Sequence, residues 1–133
     1  MNLRKEFDLL LKDQKFLDSY ELPWETINSG SLWVLIHEFP LPDGYNQPIA
    51  TAAIRIETGY PQSGLDMVYF YPPIKRNDGV AIGATSAIQN IDGKDYQRWS
   101  RHRSASHPWN PKQDNIGNHV FLIEDWLERE FEK

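Results

Sequence analysis

Three runs of β-branched and aromatic residues, each closed by proline or a turn, set the tightest limit on how this chain can fold. SLWVLIHEF (Ser31 to Phe39) stops at Pro40, IATAAIRIE (Ile49 to Glu57) runs into TGYPQSGLD, and MVYFYPP ends on Pro72 and Pro73. Runs of this length and make-up read as strands. In the second, Ile54 and Ile56 face one way and Arg55 and Glu57 the other, as in an antiparallel sheet with one wet face. The connections are short and turn-rich; PLPDGYNQP carries an Asp-Gly pair. Consecutive strands are therefore expected to pair as a meander.

Helical periodicity brackets these strands. In residues 2–18, Leu3, Phe7, Leu10, Leu11 and Leu17 recur at helical spacing, which predicts an amphipathic helix. YELPWETINSG breaks it through Pro23, Asn28 and Gly30. From about Asp114, Ile116, Val120, Ile123, Leu127 and Phe131 follow a helical rhythm, with Asp114 or Asn115 placed to cap it. VAIGATSAI (Val80 to Ile88) fits a short fourth strand, and NIDGKD holds another Asp-Gly turn. The expected fold class is α+β in a single domain over residues 1–133. It has an N-terminal helix, a four-stranded antiparallel meander, a long irregular segment and a C-terminal helix.

Composition narrows the function classes. With 40% hydrophobic residues the chain can bury a core. No apolar run reaches the ~18 residues of a membrane span, and the first residues do not read as a secretory signal. A soluble, cytoplasmic protein is the expectation. The chain has no cysteine, which excludes disulfides, thiolate metal ligands and a thiol nucleophile. A net charge of −5 counts against a general nucleic-acid binder. Charge is uneven, however: Lys94 to Lys112 holds five Lys/Arg and one Asp, a local +4, and Glu124 to Lys133 five acids and two bases, a local −3.

The basic stretch centres on QRWSRHRSASHPWNP, Gln97 to Pro111. Several chemistries are open to it. Arg98, Arg101 and Arg103 can grip carboxylates or phosphates with paired donors, and Trp99 and Trp109 offer flat faces for stacking or packing. Ser100, Ser104 and Ser106 lie near His102 and His107, so a serine nucleophile with a histidine base is possible; Ser100, His102, Ser104 and His107 are the catalytic candidates. His102, His107, His119 and Asp114 carry metal-ligating atoms, but their spacing matches no metal motif, and no metal or other cofactor is expected. The plainest alternative makes the tryptophans core anchors and pairs the arginines with the acidic C-terminal helix. Elsewhere, Trp33 and Trp126 fall in regular patterns and are expected in the core. His37 reads as a half-buried structural residue.

The order of elements, with certain residues, resembles the ubiquitin-conjugating enzyme (UBC) superfamily. The resemblance rests on Gly59-Tyr60-Pro61 after the second strand, on Val68 to Pro73 running into paired prolines, and on Trp109-Asn110-Pro111 leading into a helix. The texture from Gly93 to Glu130 looks like the prokaryotic conjugating family called family E. That resemblance implies a UBC-like fold and, as partners, a ubiquitin-like modifier and an activating-enzyme homologue. Apart from the resemblance, the lack of an apolar span argues for no membrane partner, and the acidic net charge counts against nucleic acid. Exposed Arg4, Lys5, Lys12 and Lys15 on the first helix would suit contact with an activating enzyme. The chain departs from the pattern where conjugating enzymes carry their cysteine, about eight residues before the signature tryptophan; that position is Arg101. The His-Pro-Asn tripeptide is missing too, and Asn90 is only a guessed equivalent. The implied function is a cysteine-lacking conjugating-enzyme-like protein that binds a modifier tail or the activating enzyme without a thioester. Arg98, Trp99, Arg101, His102, Arg103 and Trp109 would form the groove for the tail. A Ser/His transferase or hydrolase and a plain protein-interaction module are the competing readings.

Overall fold

The computed structural model describes residues 2–132, and it begins with a departure from the expected helix. Residues 4–6 run extended beside the first strand. Thr26 N–H donates to Arg4 O and Glu6 N–H to Thr26 O, at 3.0 and 2.9 Å. Arg4 then ties this segment down by donating to Glu25 and, through two nitrogens, to Asp92. Arg4 and Lys5 therefore do not lie on a helix, and Lys5 sits over the Trp24 ring. The helix α1 spans only Leu11–Ser19. Leucines at helical spacing sit equally well on a short strand-like arm followed by one helix, so periodicity alone misplaced the start.

Among the described residues the sheet has six strands. β1 (Trp24–Ser29), β2 (Ser31–Pro40), β3 (Ile49–Ile56) and β4 (Val68–Tyr71) form an antiparallel meander. β5 (Ile88–Ile91) and β6 (Lys94–Trp99) form a hairpin, and β6 docks on β4, giving the order β1-β2-β3-β4-β6-β5. The expected meander is present, but it includes β1 and is extended by a hairpin. The stretch from 80 to 87 is not a strand. The Asp-Gly turn of NIDGKD holds Asp92 and Gly93 both at positive φ, 55° and 77°, as a two-residue hairpin turn requires.

Period-two alternation divides the sheet into two buried faces. Val34, Ile36, Ala52, Ile54, Val68, Phe70 and Trp99 meet the helices. Ile27, Trp33, Leu35, Ala53, Tyr69, Ile91 and Tyr96 form a second cluster on the reverse. The helix α2 (Ile116–Arg129) lays Ile116, Val120, Ile123 and Leu127 into the first core. Burial of each such side chain contributes about 1.5–3 kcal/mol. Asn115 caps α2, accepting from Asn118 N–H at 2.9 Å. Asp13 of α1 is fully buried and joins three elements: Oδ1 accepts from Ile116 N–H at 3.0 Å, and Oδ2 from the Tyr60 hydroxyl at 2.7 Å. Among the described residues no helix is long and apolar enough to cross a membrane.

Candidate functional site

The register of β4 against β6 decides what the basic stretch can do. Val68 pairs with Trp99, so the chain entering β4 runs alongside the chain leaving β6. Met67 N–H donates to Arg101 O at 3.1 Å, and Met67 O accepts from His119 Nε2 at 2.8 Å. Met67 holds φ at 58°, a region unusual for a residue with a side chain, and is fixed from both sides. This pinning sets Asp66 beside the segment that begins at Ser100.

Alternation along β6 scatters the expected groove residues. Trp99 is fully buried on the helix face, donating Nε1–H to Gln97 Oε1 at 3.0 Å and packing edge-on against Phe70. It offers nothing to a ligand, so its place in the expected groove is corrected to the core. Gln97 beside it is buried and brackets Ile74, accepting from its N–H and donating to its carbonyl, both at 3.1 Å. Arg98 pairs across to Tyr69 and so belongs to the opposite sheet face; the expectation that it shares a groove with Arg103 fails on strand geometry. Arg101 is spent internally. Its guanidinium lies over Trp99, donates to Gly83 O at 2.9 Å and meets Glu130 at 3.2 Å. Glu130 is itself buried and also lies 3.7 Å from Arg76. Pairing of an arginine to the acidic C-terminal end, one of the alternatives open in the sequence, is what occurs at Arg101.

Of the groove candidates, His102 and Arg103 line one cleft, and Trp109 lies under Arg103. Trp109 packs on Gly64 and donates Nε1–H to Pro61 O at 2.8 Å. Arg103 stacks over Trp109, 4.9 Å from the ring centre, and reaches Asp114 at 3.7 Å. The Arg103 Nε and Nη2 atoms are enclosed and have no hydrogen-bond partner among the described residues. A cleft of about 350 Å³ opens here between the loop and α2, lined by His102, Arg103, Ser104 and His107 on one side and by Leu122, Asp125, Trp126 and Arg129 on the other. Trp126 is thus only partly in the core: it packs edge-on to His119 and lines the cleft.

The histidines separate by role. His119 is fully buried, and because a carbonyl only accepts, its Nε2 carries the proton given to Met67 O. Burial pushes its pKa down to about 4, against the opposing pull of the Met67 bond, so the ring is neutral. His37 is half-buried between Glu25 and Thr51, at 2.7 and 3.1 Å. His107 Nδ1 lies 3.2 Å from Ser106 Oγ and 3.4 Å from Ser104 Oγ. His102 Nδ1 lies 2.8 Å from Asp66, and its Nε2 lies 3.3 Å from Ser100 Oγ. Among the described residues no group of three or more His, Asp or Glu side chains is arranged to hold a metal, and His119 and Asp114 are directed to Met67 and to Asn110 and Asn118. Asn90 sits on β5 at the sheet edge and bonds Asp95. Sequence reasoning missed Asp66, 36 residues from His102, and did not single out Glu130, 29 residues from Arg101, within the acidic end; no local spacing signals either.

Residues 9–130 match the profile of the prokaryotic E2 family E. No curated protein and no solved structure matches the chain.

Proposed function

Because this chain belongs to the prokaryotic E2 family E, we propose that it is a conjugating-enzyme-like domain with a UBC-like fold that works by recognition. It holds the C-terminal tail of a ubiquitin-like modifier, presented by an activating-enzyme homologue, in the cleft between the 102–107 loop and α2. A thioester needs a thiolate, and the chain contains no cysteine, so binding replaces covalent carriage. The observation that carries the reading is Arg103. Its guanidinium lines the cleft and meets its acidic neighbour Asp114 only at 3.7 Å, so a carboxylate entering the cleft gains charge-assisted hydrogen bonds there. Leu122 and Trp126 supply the apolar wall against which an extended tail lies.

The test is calorimetric titration with the cognate modifier. A hydrogen bond to a charged group contributes about 1.5–3 kcal/mol, so Arg103→Ala weakens binding roughly 10- to 100-fold. Amidation of the modifier's terminal carboxyl weakens it similarly. Undiminished binding by a folded Arg103→Ala variant refutes the reading. Arg101→Glu, by contrast, sets a second acid against Glu130 and lowers stability, so it is a poor probe of binding.

A further inference from the structure

The geometry points to a hydrolytic centre formed by Ser100, His102 and Asp66, and we propose that it cleaves carboxylic esters and thioesters. It stands on these three residues; it shares His102 with the tail cleft but needs no tail to bind there.

Asp66 can only accept when ionised, so the short contact at 2.8 Å fixes the proton of His102 on Nδ1. Nε2 is then the bare nitrogen, and it faces Ser100 Oγ at 3.3 Å. The hydroxyl donates to it. This is the order nucleophile, base, orienting carboxylate, and such contacts are often long before substrate binds. The scaffold is the β4–β6 register, with Ser100 one residue beyond β6 and Asp66 two residues before β4. Ser100 is anchored through its own N–H to Ala84 O at 3.0 Å. The second serine–histidine grouping lacks this arrangement: Ser104 and Ser106 both approach His107 through Nδ1, and no Asp or Glu is within ion-pair reach of His107 among the described residues.

In the first step the Ser100 oxygen attacks the acyl carbon while its proton moves to His102 Nε2. The bond from the acyl carbon to the leaving oxygen or sulfur breaks, and His102 returns the proton to that leaving group. Water, deprotonated by the same nitrogen, then attacks the Ser100 ester, releasing the acid and restoring the hydroxyl. His102 is 60% exposed and Asp66 49%, so water reaches the base that activates it. Asp66 acts as a positioning residue.

The experiment uses two small probes on the whole chain. A fluorophosphonate forms one adduct, mapped to Ser100 by peptide mass, and Ser100→Ala abolishes it. With p-nitrophenyl acetate, Asp66→Asn lowers kcat about 100-fold with KM unchanged, and Asp66→Glu restores part of the loss. Circular dichroism confirms that each variant folds. No adduct, an adduct on Ser104 or Ser106, or hydrolysis that survives Ser100→Ala overturns the proposal.

Discussion

Replacing Asp13 with alanine removes the buried carboxylate that joins α1, the start of α2 and the Tyr60 turn. Two hydrogen bonds are lost, to Ile116 N–H and to the Tyr60 hydroxyl. A hydrogen bond to a charged group is worth about 1.5–3 kcal/mol, and both donors are left without their acceptor, so the variant loses roughly 3–6 kcal/mol. Domains are stable by about 5–15 kcal/mol in all, so roughly a fifth of the total or more disappears. Asp13→Asn is milder: its amide oxygen still accepts from Ile116, and its NH₂ donates to the tyrosine oxygen, at a cost of about 1–2 kcal/mol. Urea unfolding followed by circular dichroism measures both. The damage also travels, because Trp109 hangs from Pro61 in the same turn. A loss below about 1 kcal/mol for Asp13→Ala would refute the reasoning that this side chain clamps the three elements.

Two further expectations follow from the packing around the loop. His119 is held neutral with a pKa of about 4, while in the unfolded chain a histidine titrates near 6.5. As pH falls between those values the unfolded chain takes up a proton that the native state refuses, so stability declines, by about 3 kcal/mol across the window. His119→Gln, which keeps a donor for Met67 O, flattens that part of the stability-versus-pH curve, as denaturant melts at several pH values will record. A Cβ at Gly64 would meet Trp109 Cγ at 2.7 Å and Cδ2 at 2.9 Å, so Gly64→Ala displaces the indole and costs about 1–3 kcal/mol by thermal melt.

How far the sequence could be read depended on where each signal originates. β2, β3, β4 and α2 lie where run length, proline stops and periodicity put them, because each carries its own apolar pattern. β1 was hidden: WETINS looks like a turn-flanked break, yet it buries Glu25 and Thr26, whose polar atoms are met by Arg4, His37 and Phe7 O. β6 was hidden the same way, since KDYQRW holds charges that sit at an edge or on the second face. Of the site, Arg103, His102 and Trp109 were legible as chemistry in one loop. That Arg98 turns to the other face and Trp99 inward follows from strand alternation, which could not be applied before β6 was known. Asp66 and Glu130 are tertiary partners, brought in by sheet register and by the end of the last helix.

The central claim is that a partner's tail lies in the cleft beside Arg103. A photo-crosslinking amino acid at Leu122, on the α2 wall of the cleft, tests it directly against one at Ile88, exposed on the outer strand β5. The account predicts that the Leu122 position captures the last residues of the modifier and that the Ile88 position does not. Capture at Ile88 with none at Leu122 would contradict it.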